Sequence, residues 1–443
     1  MTAQAAGKKI GPFTLAEGVT GFNFVTFLWA SFIAIGLLTG MSFLQAFILQ
    51  EHLGIPRPQQ GSITGLLGLT SEAVAIPLTA YFGILSDRIG RRPIFIFATT
   101  VIGVAYALYP FATSITQLII YRMIFAVGAA SMGAVLATIG ADYPAEHSRA
   151  KFIGFSNIMN SLGVTFIASG IAQIPNFLEP RGYTPIQSGR IMFLSCAALC
   201  VVTVVWVRYG LQPGTPTRRS QRLPFRILVT SGVRALKNPR LAMSFAAAFT
   251  ARSDLALKGA FISLWAIQAG LAERINPAQA MATVGIVFGL MQVVAIFWNV
   301  VFGYINDRVN RVTGMAIAMG LAGIGYSSMA FVSSPLDYSM LPFFGLLSIG
   351  SASAIAASVT LAGQEAPANE RGAIMGANQL CGAVGMMFAF TVGGWLFDKW
   401  WSAPFVMAGV LQLVLCVVAI VIRLRAPGKA HVNYPATTAS TQR

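Results

Sequence analysis

Eleven residues decide how the rest of the chain is read: Gly83-Ile84-Leu85-Ser86-Asp87-Arg88-Ile89-Gly90-Arg91-Arg92-Pro93. They join two long apolar stretches. A second copy, Gly303-Tyr304-Ile305-Asn306-Asp307-Arg308-Val309-Asn310-Arg311, joins two more. Gly83 to Gly303 and Asp87 to Asp307 are both 220 residues. A further pair of loops repeats at nearly the same distance: Pro144, Arg149 and Gly154 are echoed by Pro367, Arg371 and Gly376, with 222 residues from Arg149 to Arg371. In a chain of 443 residues this is one unit present twice in the same orientation.

Composition says what the unit is made of. Hydrophobic residues are 56% and charged residues 10%, against roughly 25% charged in a soluble domain. Twelve segments are apolar enough to span a bilayer: about 22–49, 62–86, 93–112, 115–140, 152–174, 189–210, 240–270, 280–305, 312–333, 338–363, 373–397 and 403–424. Twelve spans put both ends of the chain on one side. Of the 30 Lys and Arg, 22 fall in the loops and tails of that side, which marks it as cytoplasmic. The net charge of +16 is therefore topology, and no nucleic-acid partner is expected. The organisation expected is a cytoplasmic tail over 1–21, six spans over 22–210, a basic linker over 211–239, six spans over 240–425 and a second tail over 426–443. The linker carries Arg218, Arg219, Arg222 and Arg226 and reads as lying partly on the anionic inner leaflet. Cys196, Cys200, Cys381 and Cys416 all sit in apolar stretches and read as packing residues. No nucleophile elbow, phosphate-cradling loop or metal-ligand spacing occurs, so neither an enzyme nor a metal or other cofactor is expected, and the driving force is a gradient.

The loop at 83–92 resembles the signature loop of the major facilitator superfamily. The weaker copy at 303–311, Arg122…Gly128-Ala129-Ala130 at the start of span four, and the twelve-span plan agree with it. The resemblance implies an all-α membrane protein of two six-helix bundles around a central cavity, working by alternating access. It implies a gating role for Gly83, Asp87, Arg88, Gly90, Arg91 and Arg92, for Asp307, Arg308 and Arg311, and for Arg149 and Arg371. Asp87 can pair with Arg91 or Arg92, or accept hydrogen bonds from a helix N-terminus of the other half when the cytoplasmic side is closed.

Five ionisable residues lie inside spans: Glu72, Arg122, Arg252, Asp254 and Lys258. A charge at the bilayer centre costs at least about 2.5–3.5 kcal/mol, so each faces protein or water. Asp254 and Lys258 are four apart and can pair on one helix face. Arg252 has no acid at i±3 or i±4, and its charge must be met from another helix, Glu72 among the candidates, or by a solute. The repeat maps Arg252, Asp254 and Lys258 onto Phe32, Ala34 and Leu38, Glu72 onto Gln292, and Arg122 onto Pro342. A scaffold requirement would appear in both halves; these charges appear once. The expectation is a secondary transporter of a small organic anion in an inner membrane, acting as a monomer. Arg252, Lys258, Arg122, Gln292, Asn378 and Gln379 would meet the solute, and Glu72 and Asp254 would carry coupled protons. Asn157, Asn160 and Asn299 are further amides in cavity-lining helices. Trp265, Trp395, Trp400 and Trp401 read as interfacial belt residues. Two alternatives stay open. One is a proton-coupled exporter of lipophilic or cationic drugs, although Gly163-Val164-Thr165 stands where that group has Gly-Pro in span five. The other is a transporter-like receptor without transport.

Overall fold

With no water in the bilayer core to satisfy N–H and C=O groups, an apolar stretch closes its hydrogen bonds internally as helix. The computed structural model describes residues 9–214, 230, 232–367 and 370–426. The expected linker's Arg218, Arg219, Arg222 and Arg226, and the tail's Lys429 and Arg443, lie outside the described residues. Twelve helices are long and apolar enough to span: α1 Gly21–His52, α2 Arg57–Ile89, α3 Arg91–Phe111, α4 Ile115–Asp142, α5 Lys151–Arg181, α6 Pro185–Gly210, α7 Pro239–Ala272, α8 Pro277–Arg308, α9 Arg311–Phe331, α10 Tyr338–Glu365, α11 Arg371–Phe397 and α12 Ala403–Arg425. They form two halves, α1–α6 and α7–α12. The face that carries residue 9 and Arg425 is called the near face below, and the opposite one the far face.

The halves meet in two seams, both on the far-face side. In the α2–α11 seam a Cβ on Gly65 would lie 2.3 Å from the Phe390 carbonyl oxygen, so only glycine lets the backbones approach. In the α5–α8 seam a Cβ on Gly285 would lie 2.1 Å from the Ala168 carbonyl oxygen. Gly65 and Gly285 are 220 residues apart, and Ala168 and Phe390 are 222. The two seams are thus one contact made twice by the sequence repeat. Between them, Gly259 of α7 abuts Thr39 and Ser42 of α1. On the near-face side of the same helices, Asn157 of α5, Asn299 of α8 and Gln379 of α11 are exposed amides. The space between the halves therefore opens toward the near face and is sealed at the far face.

Two readings of the sequence need correcting. Residues 9–19 are not a bare tail. Lys9–Ile10 and Phe13–Thr14 pair antiparallel as β1 and β2, and Leu15 bridges to Pro144. Phe13 packs among Phe24, Phe152 and Phe155. Thr14 N–H donates to Ser148 Oγ at 3.1 Å and Ala16 N–H to the Tyr143 carbonyl at 2.8 Å. Tyr143 in turn accepts from Gln212 N–H at 3.1 Å, and burial pushes its hydroxyl up to about 12, so it stays neutral. Trp265 is not a belt residue: it is 2% exposed, against Phe405. The far-face half of α7 is enclosed by neighbouring helices from both halves, so its indole never reaches the interface. Trp395 and Trp400 are exposed, as expected.

Candidate functional site

The site is built around a break in α7. The helix stops at Arg252, turns at Ser253, resumes over Asp254–Ala256 and loosens into a π-turn at Leu257–Phe261. Broken spans in this kind of fold mark binding regions, because an irregular backbone survives only where it lines a cavity or is buried in protein. Three of the four charges of α7, Arg252, Asp254 and Lys258, sit at the break.

Arg252 points from α7 toward α11. Gly382 makes room for it, since a Cβ there would lie 2.5 Å from Arg252 Cδ. Its Nη1 donates to Gln379 Oε1, while its Nε has no hydrogen-bond partner. The charge is met by an amide rather than by a carboxylate. Glu72 of α2, from the other half, is in electrostatic reach of both Arg252 and Arg122. Among the described residues no ion pair or hydrogen bond joins it to either. Arg122 of α4 is 3% exposed, donates from Nη2 to Ser42 Oγ and lies 5.2 Å from the Phe125 ring centroid. Its Nε and Nη1 are unpartnered. One carboxylate thus faces two incompletely satisfied guanidiniums, one from each half.

Asp254 and Lys258 do pair, at 2.9 Å. Lys258 Nζ also donates to Ser351 Oγ at 2.7 Å, and the Tyr326 hydroxyl donates to Asp254. The network joins α7, α9 and α10 and is closed within the second half, with Asp254 4% and Lys258 8% exposed. Lys258 is thus held by Asp254 and Ser351. Asn378 is likewise used as a bridge, its Nδ2 donating to the Ser244 carbonyl and hydroxyl at 3.2 and 3.0 Å. Gln292 of α8 is half-buried. Asn157 and Asn160 are within 3.4 Å of each other. The sequence did not single out Ser42, Tyr326 or Ser351, whose hydroxyls are supplied by other helices.

At the near face, Gly90 ends α2 with φ +101°, a conformation that glycine adopts at little cost and other residues rarely do, and a Cβ would lie 2.6 Å from the Gly214 carbonyl oxygen. Gly83 is buried beneath this turn. The turn sends Arg91 back onto Asp87; its Nη1 also donates to Ser86 Oγ at 2.8 Å, and its Nη2 lies 3.1 Å from Asp142 at the end of α4. Arg88 is exposed and Arg92 half-buried. In the second copy Arg311 pairs with Asp307 at 3.0 Å, and Arg308 stacks on the Tyr304 ring at 3.7 Å. Arg149, two residues before α5, and Arg371, the first residue of α11, are both exposed.

Twelve spans in two repeated halves, with a broken central helix and a charged site between the halves, define a secondary-transporter architecture. The sequence pattern of the Major Facilitator Superfamily matches residues 26–389 and, in an overlapping second match, 259–442, and the chain belongs to that family. It is accordingly a membrane transporter and not an enzyme. Among its relatives, the magnetosome protein MamH of Paramagnetospirillum magneticum is 27% identical over 85% of this chain and 87% of its own length. Magnetosome protein MamZ of the same organism is 24% identical over 91% of this chain, which spans only 64% of MamZ. The multi-drug resistance efflux pump PmrA of Streptococcus pneumoniae is 24% identical over 81% of this chain and 87% of PmrA. The crystal structure of the nucleoside transporter NupG matches 91% of this chain and 99% of its own with a TM-score of 0.71 at 12% identity, which shows the shared fold.

Proposed function

We propose that this transporter moves a small organic anion through the inner membrane, as a monomer with both termini cytoplasmic, coupled to protons. The observation that carries this reading is the Arg252 guanidinium. It sits at the helix break between the halves, held by Gln379 and with a free Nε, so it offers a carboxylate a planar fork of donors. Arg122, with two unmatched donors, adds positive potential behind it. Glu72 supplies the coupling. When ionised it competes with an anion for the guanidiniums; when protonated it withdraws that competition. By linkage, the solute and the proton then bind cooperatively, which is symport.

A second reading is favoured by the similarity to PmrA: export of drugs in exchange for protons, with Glu72 meeting a cationic solute. A thermal-shift screen of purified protein separates the two, because stabilisation grows as RT ln(1 + [L]/Kd). Organic anions raising Tm, and lipophilic cations not, supports the anion reading. The reverse result transfers the site to export.

A further inference from the structure

The two seams share a backbone contact but differ in how firmly a carboxylate ties them. Across the α5–α8 seam Ser169 Oγ donates to the Gly285 carbonyl at 2.6 Å, Gln173 Nε2 to the Ala282 carbonyl at 2.9 Å, and Asn276 Nδ2, just before α8, to the Glu179 carboxylate of α5 at 2.8 Å. Across the α2–α11 seam the bonds end on a carboxylate. Asp398, just beyond α11, accepts from Gly61 N–H at 2.7 Å through Oδ1, and from Ser62 N–H at 2.8 Å and the Ser62 hydroxyl through Oδ2. These donors lie near the start of α2, where the helix dipole favours a negative charge. Gly61 is required by the fit, since a Cβ there would lie 2.5 Å from Asp398 Oδ1. Gln268 of α7 reaches the same place, donating to Gln60 Oε1 at 2.9 Å and to the Arg57 carbonyl at 3.2 Å.

We infer that Asp398 is a positioning residue of the transport cycle: its carboxylate latches the start of α2 to the end of α11, and breaking this latch is a step in opening the far face. Hydrogen bonds to an ionised acceptor are roughly twice as strong as neutral ones. With three donors on Asp398 against one amide on Glu179, the α2–α11 seam is the more firmly locked edge. Neither the solute nor proton coupling enters the inference, so it stands or falls apart from the function proposed above.

Hydrogen exchange followed by mass spectrometry on the purified full chain reads the latch without any solute. Asp398→Asn keeps the size but removes the charge and one acceptor oxygen. Its amides over 57–66 and 390–398 should exchange about tenfold faster than wild type, with those over 165–173 and 282–289 unchanged. Asp398→Glu should restore most of the protection by restoring the charge, and Ser62→Ala should show a smaller rise confined to the same segments. Unchanged exchange at 57–66 in Asp398→Asn would overturn the latch. An equal rise at both seams would make Asp398 a general scaffold residue and overturn it as well.

Discussion

The two signature loops are copies in sequence and differ in what they hold. Arg91 is 8% exposed and gathers Asp87, Ser86 and Asp142, so α2, α3 and α4 are tied at one guanidinium. Arg311 has Asp307, whose side chain is 74% exposed, and the Asn306 carbonyl at 2.7 Å. The difference traces to a second carboxylate. Asp142 stands two residues before Pro144, and Glu365 two before Pro367. Asp142 turns to its own signature loop; Glu365 instead pairs with Arg240 at the start of α7, at 3.1 Å. The repeat preserves the parts, and the partner chosen by one acid decides whether the loop is a packed junction or a surface turn. The same holds at the centre, where Glu72 of the first half stands against Gln292 of the second.

The largest expected effect comes from erasing that central difference. Glu72→Gln gives both halves an amide and mimics the protonated acid, and it should abolish gradient-driven accumulation while sparing solute exchange across reconstituted vesicles. Equal loss of both would make Glu72 structural. Next in size is Arg91→Ala, which removes the guanidinium shared by Asp87 and Asp142; the Arg91–Asp87 pair is mostly buried, and breaking such a pair costs about 3 kcal/mol, read as a lower Tm of the purified protein. Arg252→Lys should leave Tm near wild type but raise the solute Kd about tenfold, roughly 1.4 kcal/mol, because an ammonium cannot present a planar fork. Arg311→Ala closes the series. With its partner exposed it should change stability by less than about 0.5 kcal/mol, and a fall in Tm matching that of Arg91→Ala would erase the contrast between the loops.

Much of this was legible in the sequence because the bilayer is a strict reader. Apolar length, the side taken by Lys and Arg, and a repeated loop are all local or periodic signals, and they give twelve spans in two halves. Asp254 and Lys258 announce their pairing by spacing alone. Arg252 was visible as a charge without a neighbour on its own helix, but the spacing does not say that Gln379, 127 residues away, would meet it. Asp398 and Gly61 are 337 residues apart and belong to different halves. Helices that are apolar on every side show no stripe to indicate which neighbour they touch, so Trp265 read as interfacial and proved enclosed. The break in α7 at Ser253 is silent for a related reason: neither proline nor glycine marks it, and tertiary packing sets it.

The small hairpin at the start of the chain sets a schedule for biosynthesis. Gly18 accepts from Gln212 at 3.3 Å, a partner made 194 residues later, and Gly210 accepts from Asn23 at 2.8 Å across a similar interval. At ~5–20 residues per second, a ribosome reaches those partners roughly 10–40 s after the hairpin has emerged. Phe13 and Leu15 meet Phe152, Phe155 and Pro144 earlier, and once α6 is inserted the bonds to Gln212 and Gly210 close the first half as a finished unit. A nascent chain stalled after residue 260 should therefore already protect residues 9–19 from protease, before most of the second half has been made.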